Sequence, residues 1–282
     1  MKKFTEYKVK FLPFNADLVS GVLWNLEIEG IVENDEDISV FTDSENPNFS
    51  GQINSIMEDL VREGIIERFL ISSSEVENQN WNEKWEKQLR VIEISDKIVV
   101  KPSFRDYENR KNKLVIEIDP KMSFGTGEHQ TTKIMVGFLE KYLVGNERIL
   151  DVGSGTAILS IAAVKLGAKS AVAFDIDEWS FFNGKENVER NGLIEKIDVR
   201  LGEIGSISET DFDIVLANIN THIIQSIKNE LFAKVREKGK LFLSGLLIKD
   251  EEKLIKAFTS MGLKHIESKQ IDDWSGLVFK KS

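Results

Sequence analysis

Residues 149–159 read Ile-Leu-Asp-Val-Gly-Ser-Gly-Thr-Ala-Ile-Leu, and this stretch decides the fold. An apolar run ends in an acidic residue, a turn with Gly153 and Gly155 follows, and an apolar helix pattern begins after the turn. We call residues 153–156 the glycine turn. Further along, a second apolar run ends in Asp175. This pattern predicts a strand, a glycine turn, a helix and a second strand that ends in an acidic residue. In a Rossmann-like sheet these elements form half of a nucleotide-binding crevice.

The details of this turn distinguish two classes of nucleotide ligand. A dinucleotide fingerprint needs a third glycine, but this chain has Ile158 at that position. Asp151, just before the turn, would repel a pyrophosphate, whereas S-adenosylmethionine has no phosphate and carries a sulfonium and an ammonium group. Asp175 would accept hydrogen bonds from both ribose hydroxyls. We therefore predict S-adenosylmethionine as the cofactor, bound by Asp151, Gly153, Gly155 and Asp175.

A second glycine motif precedes the cofactor strand. Residues 119–132 read Asp-Pro-Lys-Met-Ser-Phe-Gly-Thr-Gly-Glu-His-Gln-Thr-Thr, between a strand pattern at 114–118 and a helix pattern at 134–143. In isolation such a stretch would be an ordinary glycine turn with a threonine helix cap. Its place directly before the cofactor strand favours a lid over the methionine end of the ligand, and we call it the lid segment. Its predicted cofactor-binding residues are Phe124, Gly125, Thr126 and Thr132.

The lid segment resembles a stretch in the PrmA family of methyltransferases, which modify the large-subunit ribosomal protein L11. Those enzymes carry a similar D-P-x-x-x-F-G-T-G-x-H-x-T-T stretch ahead of their D-x-G-x-G turn. The resemblance spans nearly the whole chain and is weakest before residue 76. It implies a class I methyltransferase that moves methyl groups from S-adenosylmethionine to lysine side-chain or N-terminal amines of L11, free or on the ribosome.

A third candidate site follows the strand pattern at 212–217. Ligands in a doubly wound sheet lie outside the carboxyl ends of the strands, so Asn218 would face the transferred methyl group and orient the acceptor amine. We also predict that Asn218 binds the cofactor. The family has an asparagine here, usually in an N-I-L-A-like context, and this chain departs from it at residues 220–222, Asn-Thr-His. An N-P-P-Y sequence, typical of enzymes that methylate planar amides and bases, is absent, which favours an aliphatic amine. No residue is predicted to abstract the proton.

The chain divides into two predicted domains. Residues 1–75 alternate strands and helices, which indicates a small α+β domain of the ferredoxin-like type, and 76–100 read as a linker whose Trp81 and Trp85 share a helix face. The N-terminal elements are predicted at 7–12, 16–26, 38–42, 53–61 and 66–71. Residues 101–282 read as an α/β Rossmann-like methyltransferase domain with a seven-stranded sheet. Its strands are predicted at 148–151, 171–174, 198–201, 212–217, 240–244, 264–271 and 276–280, the last two as a hairpin.

Charge is distributed unevenly along the chain. Residues 1–75 contain 15 acidic and 6 basic residues, whereas the remaining residues contain 32 and 31. Between Lys10 and Arg62 there are 11 carboxylates and no Lys or Arg. An acidic surface commonly serves solubility, but it also suits docking of a basic protein. The same distribution is unfavourable for direct nucleic-acid binding, which needs Lys and Arg against phosphates.

The composition excludes several other classes. The chain has no cysteine, so disulfides and thiolate metal sites are excluded, and His129, His222 and His265 lack metal-ligand spacing. No apolar run approaches the length of a membrane span, and the first residues lack the core of a signal peptide, so we expect a cytoplasmic protein without a membrane partner. Two alternatives stay open: a methyltransferase acting on RNA or a small molecule, and a non-catalytic ribosome-assembly factor.

Overall fold

The computed structural model describes residues 4–24, 26, 28–43, 48–76, 89–121 and 123–282. Within it the chain forms two compact units, Met1–Leu89 and Arg90–Ser282. Trp81 and Trp85, predicted to share a helix face, lie outside the described residues.

The first unit is a four-stranded antiparallel sheet with two helices. Its strands lie in the order β2-β3-β1-β4, and its elements follow one another as β-α-β-β-α-β. Strand β2 was not predicted from the sequence; it has only four residues and begins with glycine. The elements are β1 (Phe4–Leu12), α1 (Ala16–Leu23), β2 (Gly30–Glu33), β3 (Ile38–Asp43), α2 (Phe49–Arg62) and β4 (Arg68–Val76).

The helices of this unit are amphipathic and bury one face. Helix α2 buries Ile53, Met57 and Leu60, which are spaced by four and three residues and so share one side of the helix. The Asn15 side chain caps α1 by accepting a hydrogen bond from the Leu18 N–H at 3.2 Å. The unit therefore has its own small core, built from α1, α2 and the inner sheet face.

The second unit begins with a small three-stranded sheet. Strand β5 (Ile92–Glu93) pairs antiparallel with β6 (Ile98–Lys101), which pairs parallel with β7 (Leu114–Glu117). Residues 92–93 and 98–100 fall within the stretch 76–100 that was predicted to be a linker. They differ from a linker because Ile98, Val99 and Val100 are fully or almost fully buried.

The centre of the second unit is a seven-stranded sheet in the order β10-β9-β8-β11-β12-β14-β13. Strands β8 to β12 run parallel, and β14 runs antiparallel to both of its neighbours. This confirms the predicted Rossmann-like sheet and its C-terminal hairpin. The strands are β8 (Arg148–Val152), β9 (Ser170–Asp175), β10 (Ile197–Leu201), β11 (Phe212–Asn218), β12 (Val235–Leu247), β13 (Leu263–Ile271) and β14 (Trp274–Lys281).

Helices cover both faces of this sheet, so the central strands are apolar on both sides. In β8, Ile149 packs into one core and its neighbour Leu150 into the other, as expected for parallel strands buried on both faces. The order of the strands reverses between β8 and β11, and the carboxyl ends of these strands form a crevice there. The helices are α3 (Gln130–Tyr142), α4 (Ile158–Lys165), α5 (Glu178–Arg190), α6 (Thr221–Ser226), α7 (Lys228–Lys234) and α8 (Glu251–Ser260).

Candidate cofactor and acceptor site

The glycine turn is tied to the end of the neighbouring strand β9. The N–H groups of Gly153 and Ser154 both donate to the Phe174 carbonyl at 3.0 Å. Gly153 and Gly155 have φ of +69° and +52°, a region that favours glycine. A Cβ on Gly153 would lie 2.4 Å from Cγ2 of Ile219, so the turn also approaches the end of β11 closely.

Asp175 ends β9 and reaches back to the glycine turn. Its Oδ2 accepts from the Gly155 N–H at 2.9 Å, and its Oδ1 accepts from the Asp177 N–H at 3.1 Å. Burial raises the pKa of the Asp175 carboxyl, and these backbone hydrogen bonds oppose the rise. Each carboxylate oxygen can accept a further hydrogen bond, so the group is oriented and still able to bind a pair of hydroxyls.

Substitution of Asp175 by alanine should weaken cofactor binding without stopping the chemical step. We expect the dissociation constant for S-adenosylmethionine to rise about tenfold or more, because charge-assisted hydrogen bonds contribute about 1.5–3 kcal/mol each, with kcat at saturation little changed. Isothermal titration and steady-state kinetics measure the two quantities. Asp177→Ala is the control: it removes the cap that accepts from the Ser180 N–H, so it should lower stability and leave cofactor affinity nearly intact. Equal affinities for both variants would contradict the assignment.

Asp151 lies beneath the turn and is almost completely buried. Its Oδ2 accepts from both the N–H and the hydroxyl of Ser160, at 3.1 and 2.7 Å. Burial raises the pKa of the Asp151 carboxyl to about 6. The sequence predicted that Asp151 binds the cofactor and gave no sign of its partner Ser160 on α4. A cofactor role for Asp151 stays a prediction.

The buried Asp151 should make stability depend on pH. Its pKa is higher in the folded than in the unfolded chain, so the folded state binds more protons between about pH 4 and 6. The contribution of this group to the free energy of unfolding therefore falls as the pH rises through that window. Asp151→Asn, which does not ionise, should lose about 2 kcal/mol less stability than the wild type between pH 4.5 and 7.5.

Urea unfolding at the two pH values measures this difference. A wild-type pH dependence in Asp151→Asn would show that this carboxyl does not titrate in the window.

The lid segment contacts the glycine turn directly. The Thr156 N–H donates to the Phe124 carbonyl at 3.0 Å, and the Thr156 hydroxyl donates to the Gly125 carbonyl at 2.8 Å. A Cβ on Gly125 would lie 2.5 Å from the Thr156 hydroxyl, so only glycine fits without displacement. Thr156 was not among the site residues predicted from the sequence. Its position directly after the second glycine of the turn was the available signal.

Other residues of the lid segment stabilise its own backbone. The Thr126 hydroxyl accepts from the Glu128 N–H at 3.2 Å, which closes a local turn. His129, not a threonine, occupies the cap of α3, where its Nδ1 accepts from the Thr131 N–H at 3.2 Å. The His129 ring lies edge-on to those of Phe124 and Trp274, with centroids 5.2 and 4.8 Å away. These contacts link the lid segment to the start of β14.

Several buried polar atoms around the crevice have no hydrogen-bond partner within the described part of the chain. They come from the start of α3, the glycine turn, the end of β11 and the start of β14. An unsatisfied buried polar atom costs about 1–3 kcal/mol, so such a group of atoms indicates a polar ligand. They are Thr132 Oγ1, Ser154 Oγ, Asn218 Oδ1, Trp274 Nε1 and Ser275 Oγ.

Asn218 is the member of this group that the sequence analysis assigned to the acceptor. It pairs in register with Ser244 on β12, and the Ser244 hydroxyl donates to the Ser275 carbonyl at 2.8 Å. The residues in which this chain departs from the N-I-L-A-like context begin the short helix α6, and Thr221 there donates to Asp250 Oδ2 at 3.0 Å. Asn218 thus ends β11 beside the glycine turn, with a free carbonyl oxygen on its amide.

The residues present fit S-adenosylmethionine. Two N–H groups orient the Asp175 carboxylate beside the glycine turn, and unsatisfied hydroxyl and amide oxygens lie around the crevice. No cluster of metal-ligating side chains and no helix long and apolar enough to cross a membrane occurs among the residues that the structure describes.

The fold and this site define a methyltransferase of the Rossmann-like class, whose methyl donor is S-adenosylmethionine. The chain belongs to the ribosomal protein L11 methyltransferase (PrmA) family, whose model matches residues 17–282.

Individual members of the family are about one third identical to this chain in sequence. The ribosomal protein L11 methyltransferase of Brevibacillus brevis is 30% identical over 311 residues, covering 99% of this chain and 99% of that protein. That of Syntrophomonas wolfei subsp. wolfei is 36% identical over 208 residues, covering 73% and 68%. The crystal structure of ribosomal protein L11 methylase from Lactobacillus delbrueckii subsp. bulgaricus is 30% identical, with a TM-score of 0.64, and the match covers 68% of this chain and 99% of that one.

Proposed function

We propose that this protein transfers methyl groups from S-adenosylmethionine to lysine side-chain and N-terminal amines of ribosomal protein L11 in the cytoplasm. The observation that supports it best is the unsatisfied Oδ1 of Asn218, a buried hydrogen-bond acceptor at the end of β11 beside the glycine turn. Amines donate hydrogen bonds, so this oxygen suits an amine acceptor. The choice of ribosomal protein L11 as the substrate rests on the family to which the chain belongs.

The cofactor residues have separate roles in this proposal. The bound cofactor supplies a methyl group on a cationic sulfur. Asp175 holds the ribose hydroxyls, Gly153 and Gly155 let the backbone approach the ligand, and Thr132 offers its buried hydroxyl from the start of α3. Phe124, Gly125 and Thr126 close the crevice from the lid segment, because Thr156 holds the carbonyls of the first two.

The acceptor amine must lose a proton before it can attack. A free lysine amine has a pKa of about 10.4, and burial beside a cation lowers it through desolvation and like-charge repulsion. Asn218 Oδ1 accepts a hydrogen bond from the amine and so directs its lone pair at the methyl group. Such positioning alone contributes about 7–11 kcal/mol in favourable cases, and we assign no residue to proton abstraction.

An assay of purified substrates tests the proposed acceptor. The full chain is incubated with radiolabelled S-adenosylmethionine and, separately, ribosomal protein L11, ribosomal RNA and a set of small-molecule amines. Label on L11, removed by the Asn218→Ala substitution, supports the proposal. Label only on RNA or a small molecule would identify the alternative methyltransferase, and cofactor binding without label on any substrate would indicate a non-catalytic assembly factor.

We further propose that the acidic N-terminal unit docks the substrate. The end of β2 and the loop that follows it expose Glu33, Asp35 and Glu36. Clustered charge speeds the encounter with a basic protein in a salt-dependent way. Neutralising all three to amides should lower kcat/KM for L11 several-fold at low salt and flatten its dependence on NaCl. The matched control neutralises three exposed carboxylates of the second unit, Glu189, Glu195 and Glu230, and should leave kcat/KM close to wild type. Equal effects of the two triple variants would exclude docking through this loop.

A further inference from the structure

One face of α5 bonds the backbone that leads into the lid segment. Asn183, Asn187 and the capping residue Asn191 are spaced by four residues and so lie on one side of the helix. Asn183 donates to the Asp119 carbonyl at 2.8 Å. Asn191 accepts from the Glu117 N–H at 3.0 Å and donates to the Glu117 carbonyl at 2.7 Å. These side-chain amides satisfy backbone N–H and carbonyl groups at the end of β7 and just beyond it, as the backbone of a neighbouring strand would.

Asn187 differs from the other two because it bonds two separate parts of the cofactor site. Its side chain is completely buried. Its Oδ1 accepts from the N–H of Asp119, the first residue of the lid segment, at 3.0 Å. Its Nδ2 donates to the carbonyl of Thr156 in the glycine turn at 3.2 Å. One amide therefore joins the base of the lid segment to the turn whose Thr156 holds the Phe124 and Gly125 carbonyls.

A glycine on the same helix allows this close approach. A Cβ on Gly184 would lie 3.2 Å from the Gly155 carbonyl oxygen and 3.6 Å from the Ala157 Cβ. Helix α5 therefore packs directly against the glycine turn, and a larger residue at position 184 would push them apart. Helix α5 therefore contacts both the glycine turn and the first residue of the lid segment.

We propose that Asn187 is a positioning residue for cofactor binding, which sets the lid segment against the glycine turn through its hydrogen bonds to Asp119 and Thr156. The inference rests on the cofactor site of the proposed function and not on the identity of the methyl acceptor. Without these hydrogen bonds, the distance between the lid segment and the glycine turn is no longer fixed. The crevice is then not preformed when the cofactor binds, and binding must include the cost of ordering it.

Two substitutions of Asn187 break the link differently. Asn187→Asp keeps an acceptor for the Asp119 N–H but loses the donor to Thr156, and Asn187→Ser is too short to reach both partners. We expect each to raise the dissociation constant for S-adenosylmethionine about tenfold, which corresponds to one lost buried hydrogen bond. Titration calorimetry measures binding without any methyl acceptor, so the result is independent of whether L11 is the substrate. The neutral serine variant decides the question if the buried charge of aspartate prevents folding.

Asn191→Ser is the matched control, because Asn191 makes the same kind of bonds to β7 but none to the glycine turn. It should lower the thermal unfolding temperature about as much as Asn187→Ser while keeping the dissociation constant within about twofold of wild type. The proposal is overturned if folded Asn187→Ser binds the cofactor as the wild type does. It is also overturned if Asn191→Ser weakens binding equally, since the asparagines would then have only a general structural role.

Discussion

Replacing Gly155 with alanine is expected to abolish cofactor binding at ordinary concentrations. Gly155 has φ of +52°, and an added Cβ would lie 2.3 Å from the Phe124 carbonyl oxygen, which is backbone and cannot rotate away. To relieve the contact, the glycine turn and the lid segment must separate. That movement breaks the hydrogen bond from the Gly155 N–H to Asp175 and the one from the Thr156 N–H to Phe124. Losing both implies a rise of about 100-fold or more in the dissociation constant.

The control for this substitution separates backbone strain from the clash. Gly192 has a similar φ of +68°, but nothing lies within 4 Å of an added Cβ there. Gly192→Ala should therefore cost about 1–2 kcal/mol of stability from the left-handed conformation alone and leave cofactor affinity within about twofold. Calorimetric titration and thermal unfolding of both variants measure the two effects. Cofactor affinity that is retained in folded Gly155→Ala would show that the lid segment does not form a wall of the site.

The second large effect is expected at Asn218. Asn218→Ala removes the buried Oδ1 that we assign to orienting the acceptor amine. We expect kcat to fall about 100-fold, because a misdirected nucleophile loses a large part of the rate that positioning supplies. Affinity for S-adenosylmethionine should change only modestly, since Gly153, Gly155 and Asp175 are untouched. Single-turnover kinetics with saturating cofactor and L11 isolate the methyl-transfer step.

Asn220→Ala is a suitable comparison for this experiment. It removes the same chemical group two residues further on, at the position that precedes helix α6. Its kcat should stay within a few-fold of wild type. If Asn218→Ala turns over as fast as Asn220→Ala, acceptor orientation belongs to another group, and the roles of the remaining unsatisfied atoms at Trp274 and Ser275 would need to be tested in the same way.

Local sequence patterns predicted most of the second unit. Apolar runs of four to seven residues separated by helix patterns are enough to specify a parallel sheet, because a strand buried on both faces must be apolar throughout. Strands β8 and β11 follow this rule most closely. Strand β13 instead alternates buried or half-buried residues with exposed ones, and the final hairpin was predicted from two strand patterns joined by residues 272–275. Glycine spacing and the acid that ends the second strand likewise assigned the glycine turn and Asp175 to one predicted crevice. The hydrogen bond from the Gly155 N–H to Asp175 was not predicted and comes from the structure. Short elements were harder: β2 has four residues and β5 has two, too few for a periodic pattern.

The chain by itself determined the class of sheet, the glycine turn, the lid segment beside it and the acidic first unit, because each depends on neighbouring residues or on composition. Only the tertiary structure decided which side chains connect them. Ser160 donates to Asp151, and Thr156 donates to the lid segment. Asn187 bonds both Thr156 and Asp119, which precede it in the sequence by 31 and 68 positions. A side-chain amide or hydroxyl that bonds a distant backbone group leaves no periodic signal, since its partner is set by how helices and strands pack and not by the residues beside it.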